Sequence, residues 1–154
     1  MDKILNIIFA GTNQQLADLI STGVDINAQD KSGRTPLINA TIDGRVDMMI
    51  TLIDNSAIID IQDSIGCCAL HYAAQGNAFD ACKLLLENDA TVDIPDIYGN
   101  TPLAKAVFNS AGKGDIIELL RSSGADINFK NKHGVSPLEL ANTIANFDVA
   151  RFMK

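Results

Sequence analysis

The chain has 154 residues, which is enough for one domain with a continuous core and too few for two full-sized domains. Its composition, 47% apolar and 20% charged, excludes a disordered chain, and no apolar run approaches the ~20 residues of a membrane-spanning helix. The net charge of −7 and the lack of a basic cluster argue against nucleic acid or an anionic membrane as partner. Residues 1–95 hold 13 acidic and 5 basic residues, for which simple solubility is the preferred explanation and a partner protein with a basic surface is the alternative.

The N-terminus and the cysteines bear on the cellular compartment. The apolar stretch near the N-terminus is short, interrupted by Asn6 and preceded by Asp2, so it does not match a signal peptide. The three cysteines, Cys67, Cys68 and Cys82, show neither an even count nor a C-x-x-C spacing. We therefore expect a cytoplasmic protein, with an effector exported by another type of secretion signal as the alternative.

A repeat of about 33 residues runs along the chain. Glycines recur at spacings of 33, 33 and 35 residues, at Gly33, Gly66, Gly99 and Gly134. An aspartate or asparagine stands three residues before each glycine, at Asp30, Asp63, Asp96 and Asn131. A related block follows each glycine: Thr35-Pro36-Leu37-Ile38-Asn39-Ala40, Cys68-Ala69-Leu70-His71-Tyr72-Ala73, Thr101-Pro102-Leu103-Ala104-Lys105-Ala106 and Ser136-Pro137-Leu138-Glu139-Leu140-Ala141.

Each unit is predicted to contain a turn and two helices, in that order. In the Asp-x-x-Gly segment the aspartate binds its own backbone and the glycine accepts a positive φ, which is typical of a tight turn. Thr or Ser then caps the first helix, and proline fills its first position. The second helix has apolar residues at helical spacing, such as Met48, Met49 and Leu52, and ends near Gly23 or Gly124 in two units. An extended hairpin loop then leads into the next unit.

These features resemble the ankyrin repeat, whose 33-residue period and Thr-Pro-Leu-His-x-Ala signature the blocks match. The resemblance implies an all-α fold, an ankyrin repeat solenoid of helix-turn-helix units joined by β-hairpin loops. It covers one domain, 1–154, divided into an N-terminal capping repeat 1–29, internal repeats 30–62, 63–95 and 96–130, and a C-terminal capping repeat 131–154. It also implies a protein-binding module whose hairpin tips and first helices line a concave face.

Three departures from the pattern lead to specific predictions. Cys68-Ala69 replaces Thr-Pro, so that first helix lacks its hydroxyl cap and its proline. Two extra residues near Asn109 are predicted to lie between the paired helices of the third internal repeat. The last helix, from about Asn146 to Met153, is predicted to be short.

The candidate reactive residues favour structural roles. The resemblance implies that His71 binds neighbouring backbone, and His133 is expected to be exposed in a turn. Cys68 stands at a helix start, where a thiol can be activated, but a small buried residue is the preferred interpretation. The histidines and cysteines show no metal-ligand spacing. We therefore predict a protein that is not an enzyme and that carries no cofactor or metal.

The predicted partner site lies on the turns and the first helices. Apolar and aromatic side chains occur there at positions where the repeat needs no core residue, and hot spots of binding favour such groups. The predicted site residues are Arg34, Ile65, Ile97, Tyr98, Phe108 and His133. Packing of these apolar groups against neighbouring loops is the structural alternative.

Several roles are compatible with this site. The protein could serve as an adaptor, as an inhibitory subunit of an enzyme, or as an effector delivered into another cell. A self-associating structural protein is the alternative from a different class. That alternative depends on Phe147, Phe152 and Met153 leaving apolar surface open at the C-terminal end.

Overall fold

The computed structural model describes residues 2–144 and 148–154. Nine α-helices and one 3-10 helix span these residues: α1 (Asp2–Ala10), α2 (Asn13–Ser21), α3 (Pro36–Ile42), α4 (Val46–Asp54), α5 (Ala69–Gln75), α6 (Phe79–Glu87), α7 (Pro102–Asn109), α8 (Asp115–Ser122), α9 (Pro137–Thr143) and the 3-10 helix (Val149–Met153). The connecting segments of the described residues contain turns and no β-strand. The predicted β-hairpin loops are therefore formed by turns without paired strands.

The predicted hydroxyl caps begin three of the first helices. Thr35, Thr101 and Ser136 have extended backbone, and the hydroxyl of each accepts the backbone N–H three residues later, at 3.2–3.4 Å. Proline follows each cap. It costs no hydrogen bond there, because the first N–H groups of a helix have no partner within the helix.

The helices stack in two layers. The first helices α1, α3, α5, α7 and α9 pack on one another in that order, and α2, α4, α6, α8 and the 3-10 helix form the second layer. The core lies between the layers and repeats with the sequence. Leu37, Leu70 and Leu103 are 33 residues apart and fully buried, and each contributes roughly 2 kcal/mol of burial energy. A column of buried alanines, at Ala40, Ala73, Ala106 and Ala141, lies between the first helices and permits their close packing.

The two extra residues lie where the spacing predicts them. Residues 43–45 and 76–78 connect the paired helices of the first two internal repeats, whereas residues 110–114 connect α7 and α8. The longer connection has positive φ at Ala111 and Gly112, and α7 and α8 still pack against each other.

The C-terminal end agrees with the prediction in its short helix and differs in its apolar side chains. The last helix is a 3-10 helix over Val149–Met153, and Asn146, its predicted start, and Phe147 lie outside the described residues. Met153 is buried rather than open, and Phe152 lies against Gly114, where an added Cβ would come within 2.2 Å of its ring. Arg121 donates to the carbonyl oxygens of Phe152, at 2.7 Å, and of Lys154. Phe152 and Met153 therefore cover the end of the core and do not form the open apolar surface that self-association required.

The N-terminal unit contains a helix pair whose first helix carries no Thr-Pro signal. Ile4 and Ile8 of α1 are one turn apart and fully buried against α3. Arg45 donates to the carbonyl oxygens of Ile8 and Gly11, at 3.0 and 3.2 Å, and so ties the end of α1 to the next repeat. None of the helices in the described ranges has the length and apolarity that crossing a bilayer requires.

Candidate protein-binding surface

The Asp-x-x-Gly turns share one hydrogen-bonding pattern. In each turn the side-chain Oδ1 accepts the backbone N–H groups two and four residues later, at 2.8–3.0 Å, in the turns of Asp30, Asp63, Asp96 and Asn131. A backbone hydrogen bond from the same residue to the carbonyl oxygen four residues later closes each turn. The prediction of a tight turn built on the aspartate is confirmed.

The second carboxylate oxygen of each aspartate binds a side chain nine residues further along, on the first helix. Asp30 Oδ2 accepts from Asn39 at 3.2 Å, and Asp63 Oδ2 accepts the Tyr72 hydroxyl at 2.6 Å. Asp96 Oδ2 forms an ion pair with Lys105 Nζ at 2.8 Å. An amide, a phenol and an ammonium thus bind the equivalent carboxylate in three successive repeats, and all three carboxylates point inward.

The environment of these carboxylates favours their charged form in two turns. Burial by itself would raise the pKa of Asp96, but Lys105 and the N–H groups of Asn100 and Tyr98 outweigh burial and lower that pKa. Burial likewise opposes ionisation of Asp30, and the N–H groups of Arg34 and Ser32 lower its pKa overall. These aspartates are therefore structural anions.

Arg34 holds two turns together. Its guanidinium lies 5.3 Å from the centre of the Tyr72 ring, its Nη2 donates to the Tyr72 hydroxyl at 3.4 Å, and its Nε lies 3.8 Å from Asp63 Oδ2. Burial and the hydrogen bond to Asp63 raise the pKa of Tyr72 to about 12, so this phenol stays neutral. The structure places Arg34, a predicted site residue, in a half-buried position where it already has partners within the chain.

Successive turns stack into one edge, which we call the tip edge and define as residues 31–34, 64–67, 97–100 and 132–135. Backbone N–H groups join neighbouring turns: Ser64 donates to Ser32 at 3.0 Å, Ile97 to Ile65 at 3.1 Å, and Lys132 to Tyr98 at 2.9 Å. The side chains of Ile65, Ile97 and Tyr98 remain exposed on this edge, and Tyr98 is 54% exposed. The structure thus brings three of the predicted residues together in two adjacent turns.

A groove of about 410 Å³ joins the tip edge to the first helices between the last two repeats. It is lined by Asn100, Ala104, Phe108, His133, Val135 and Leu140, among others. Phe108 is 72% exposed on one wall, and His133 is exposed as predicted. The site prediction missed Val135 and Leu140. The sequence held a signal for Leu140. This leucine occupies a position that is polar or aromatic in the other repeats, where it is Asn39, Tyr72 or Lys105.

Phe108 also belongs to a row of side chains near the ends of the first helices. Phe9, Ile42, Gln75 and Phe108 follow one another at intervals of 33 residues, and the three apolar members are exposed. The repeat phase therefore places them at equivalent positions on α1, α3 and α7, with Gln75 on α5 between them. Phe9 and Ile42 extend the apolar surface beyond the residues predicted from sequence.

His71 has the structural role that the resemblance implied. Its Nε2 donates to the Asn100 carbonyl oxygen at 3.1 Å, and its Nδ1 accepts the Cys68 backbone N–H at 3.2 Å. Cys68 Sγ also lies 3.2 Å from Nδ1. Both side chains are fully buried, and burial raises the pKa of the thiol and lowers that of the imidazole. The pair is therefore neutral and out of reach of a substrate, unlike an activated cysteine.

The other cysteines are buried too, and burial raises the pKa of Cys67 to about 11 and that of Cys82 to about 12. In the described parts of the chain, no three histidine, cysteine or acidic side chains are grouped as metal ligands would be.

The start of α5 leads to the first prediction. Replacing Cys68-Ala69 by Thr-Pro is expected to stabilise the protein by about 1 kcal/mol. Cys68 and His71 form a capping box at this helix start, in which a hydroxyl is a stronger acceptor than the thiol, and proline restricts the unfolded chain. Threonine is buried at the equivalent positions of the neighbouring repeats, Thr35 and Thr101. Urea unfolding measures the change, with Ala69→Pro alone as the control. A lower stability of the double variant would show that the packing of Cys68 outweighs the cap.

Comparison with known families agrees with this geometry. A family model for ankyrin repeats, in three copies, matches residues 6–96, and a model for a single ankyrin repeat matches residues 98–132. A search of curated proteins gives no match. Ankyrin repeats are protein–protein interaction modules, and stacked repeats of this kind present extended binding surfaces. With its repeat phase, its two helical layers and its stacked turns, this chain belongs to the ankyrin repeat family.

Proposed function

We propose that this protein binds a partner protein through the tip edge and the adjoining groove, without catalysing a reaction. The observation that carries the proposal is the exposure of Ile65, Ile97, Tyr98 and Phe108 at positions where the stacking of repeats uses none of these side chains. An exposed apolar group costs solubility, and a cluster of them on one face is typical of an interaction site. The mechanism is complementarity of shape and charge on a surface that the stacked turns hold in advance.

The site residues have different roles in this proposal. Tyr98 and Phe108 are the anchors, because they combine large contact area with few rotatable bonds. Ile65 and Ile97 extend the apolar contact between the turns, and His133 forms the polar wall of the groove. Arg34 shapes the surface by fixing Tyr72 and Asp63, and its exposed part contributes charge.

Truncation of Tyr98 is the direct test. Tyr98→Ala is expected to weaken binding of the partner about thirtyfold, the effect of losing a hot spot worth ~2 kcal/mol. The turn needs only the backbone of Tyr98, whose N–H binds Asp96 and whose carbonyl oxygen accepts from Lys132. The helical circular dichroism and the melting temperature should therefore hardly change. The partner is obtained by affinity purification from the native source and mass spectrometry, and affinity is measured by titration calorimetry.

Glu87→Ala on α6 is the control, since this exposed residue lies in the second layer, away from the tip edge. It should leave affinity nearly unchanged. If Tyr98→Ala unfolds the protein, the aromatic group is part of the fold and the proposal fails. Binding that survives both Tyr98→Ala and Phe108→Ala would place the interface elsewhere on the molecule.

The proposed surface is compatible with three biological roles. A cytoplasmic adaptor, an inhibitory subunit and a delivered effector would all use this surface. A secretion assay on the native source separates the effector from the other two. Assay of the partner's activity with and without the protein then separates an inhibitory subunit from an adaptor.

A further inference from the structure

We infer that the segment recognised by the tip edge is apolar in its middle and acidic at both ends. The inference rests on the proposed function and adds the chemistry of the partner. It is carried by the charge of the tip edge, which is opposite in sign to that of the whole protein. The protein has a net charge of −7, and its acidity by itself favours a basic partner.

The acidic residues of the turns do not contribute to the exposed edge. The four turn segments, 28–35, 61–68, 94–101 and 129–136, contain three of the nineteen acidic residues and four of the twelve basic ones. The three acidic residues are Asp30, Asp63 and Asp96, whose carboxylates are all occupied by backbone N–H groups and first-helix side chains. Asp63 and Asp96 are also buried. The charge that a partner meets on this edge is therefore basic.

The basic groups stand at the two ends of the edge. Lys31 and Arg34 lie in the first turn, and Lys132 lies in the last turn beside His133. The fourth basic residue, Lys130, precedes the last turn and pairs with Glu139 at 3.6 Å. Within the part of the chain that the structure describes, neither the Lys31 nor the Lys132 ammonium has a carboxylate within 4.0 Å. Arg34 is offset by Asp63.

The middle of the edge carries no exposed charge. The second and third turns present Ser64, Ile65, Ile97 and Tyr98, between the cations of the first and last turns. A partner that covers these apolar groups brings the ends of its segment next to Lys31 and Lys132. Carboxylates at those ends gain Coulomb energy, whereas lysines or arginines there would be repelled.

The geometry also limits the length of the segment. Packed helices lie roughly 8–10 Å apart, so the three steps from the first turn to the last span roughly 24–30 Å. An extended chain advances about 3.3 Å per residue, and about eight or nine residues cover this distance. The acidic surface outside the edge repels such a segment, which directs it to the tip edge.

Selection from a random library of displayed 12-residue peptides tests the inference on the full chain. Peptides that bind the protein but not Tyr98→Ala are expected to contain an apolar run with Asp or Glu on both sides. For these peptides, Lys31→Gln combined with Lys132→Gln should weaken affinity about two- to tenfold at low ionic strength. The loss should shrink at high salt, because both pairs are exposed.

Lys83→Gln combined with Lys113→Gln is the matched control, since it makes the same change in net charge at exposed lysines outside the tip edge. It should reduce affinity clearly less. Equal losses in the two double variants, or Tyr98-dependent peptides without acidic ends, would overturn this inference and leave the proposed function standing. Selection that gives no Tyr98-dependent peptide would overturn both.

Discussion

Gly66→Ala is expected to destabilise the protein by about 3 kcal/mol, because an alanine at this turn meets two separate obstacles. Its φ of +77° lies in the left-handed region, which costs a non-glycine residue roughly 1–2 kcal/mol. Its Cβ would also lie 2.7 Å from the backbone nitrogen of Ile97 and 3.0 Å from backbone atoms of Asp96. Since these are backbone atoms, the next turn must move and its hydrogen bond from Ile97 to Ile65 must lengthen.

Gly134→Ala separates the two effects. Gly134 has a φ of +76°, nearly the same as that of Gly66, but no atom lies within 4 Å of the position of an added Cβ. This variant should lose only the backbone contribution, roughly 1–2 kcal/mol. Urea unfolding measures the loss of stability of each variant. The difference between the two losses is the energy of the close approach between turns. Equal losses would mean that the turns can separate at no cost, which would contradict a preformed tip edge.

Asp96→Asn is expected to cost about 2 kcal/mol at neutral pH, the effect of breaking a largely buried charge-assisted hydrogen bond. The amide can still cap the turn, as Asn131 does in the last repeat. It leaves the Lys105 ammonium without its carboxylate at a position where the side chain is only 21% exposed. The loss therefore reports on the ion pair and not on the turn. Urea unfolding at pH 7 measures it.

The last repeat supplies the matched second change. The last repeat has Asn131 and Leu140 at the positions of Asp96 and Lys105, so an amide and a leucine already occupy these two positions in the native protein. Asp96→Asn combined with Lys105→Leu should recover most of the lost stability, because no buried charge remains unpaired. A double variant as unstable as the sum of the single variants would show that the two side chains are not coupled.

The pH dependence of the same pair has a defined sign. The pKa of Asp96 is lower in the folded protein than its ordinary value of 3.8, so its ionised form stabilises the fold above that pH. This stabilisation is lost as the pH falls from 3.8 through the folded pKa. The native protein and Asp96→Asn should therefore differ most in their free energy of unfolding at pH 7, and the difference should disappear in acid. A constant difference down to pH 2 would contradict the assignment of the effect to this carboxylate.

Much of the fold could be predicted from local sequence signals. Thr35-Pro36 and Ser136-Pro137 determine helix starts within a few residues, and Asp63 with Gly66 determines a turn. The 33-residue period then determined that the helices stack, and the 35-residue interval located the longer connection after α7. These features could be read because capping, proline and positive φ act between residues close in the chain.

Other features depend on contacts between residues about 30 to 40 positions apart, and the sequence alone did not reveal them. The aromatic ring of Phe152 fills the space over Gly114, Arg34 is held by Tyr72 and Asp63, and the predicted short last helix is a 3-10 helix. Exposure of Tyr98 and Phe108 was predicted from their positions in the repeat, but their relation to Val135 and Leu140 required the stacked turns.

The charge of the tip edge shows most clearly how the information in the sequence differs from that in the folded structure. The repeat, its helices and turns, and the net charge of −7 can all be read from the amino-acid sequence, because they are sums or short-range patterns. That Asp30, Asp63 and Asp96 point inward while Lys31 and Lys132 are exposed follows from the packing of the turns on the first helices. The packing of each turn on its first helix brings a side-chain partner to the carboxylate. Because this partner and the backbone N–H groups of the turn satisfy the carboxylate, it lies away from the protein surface.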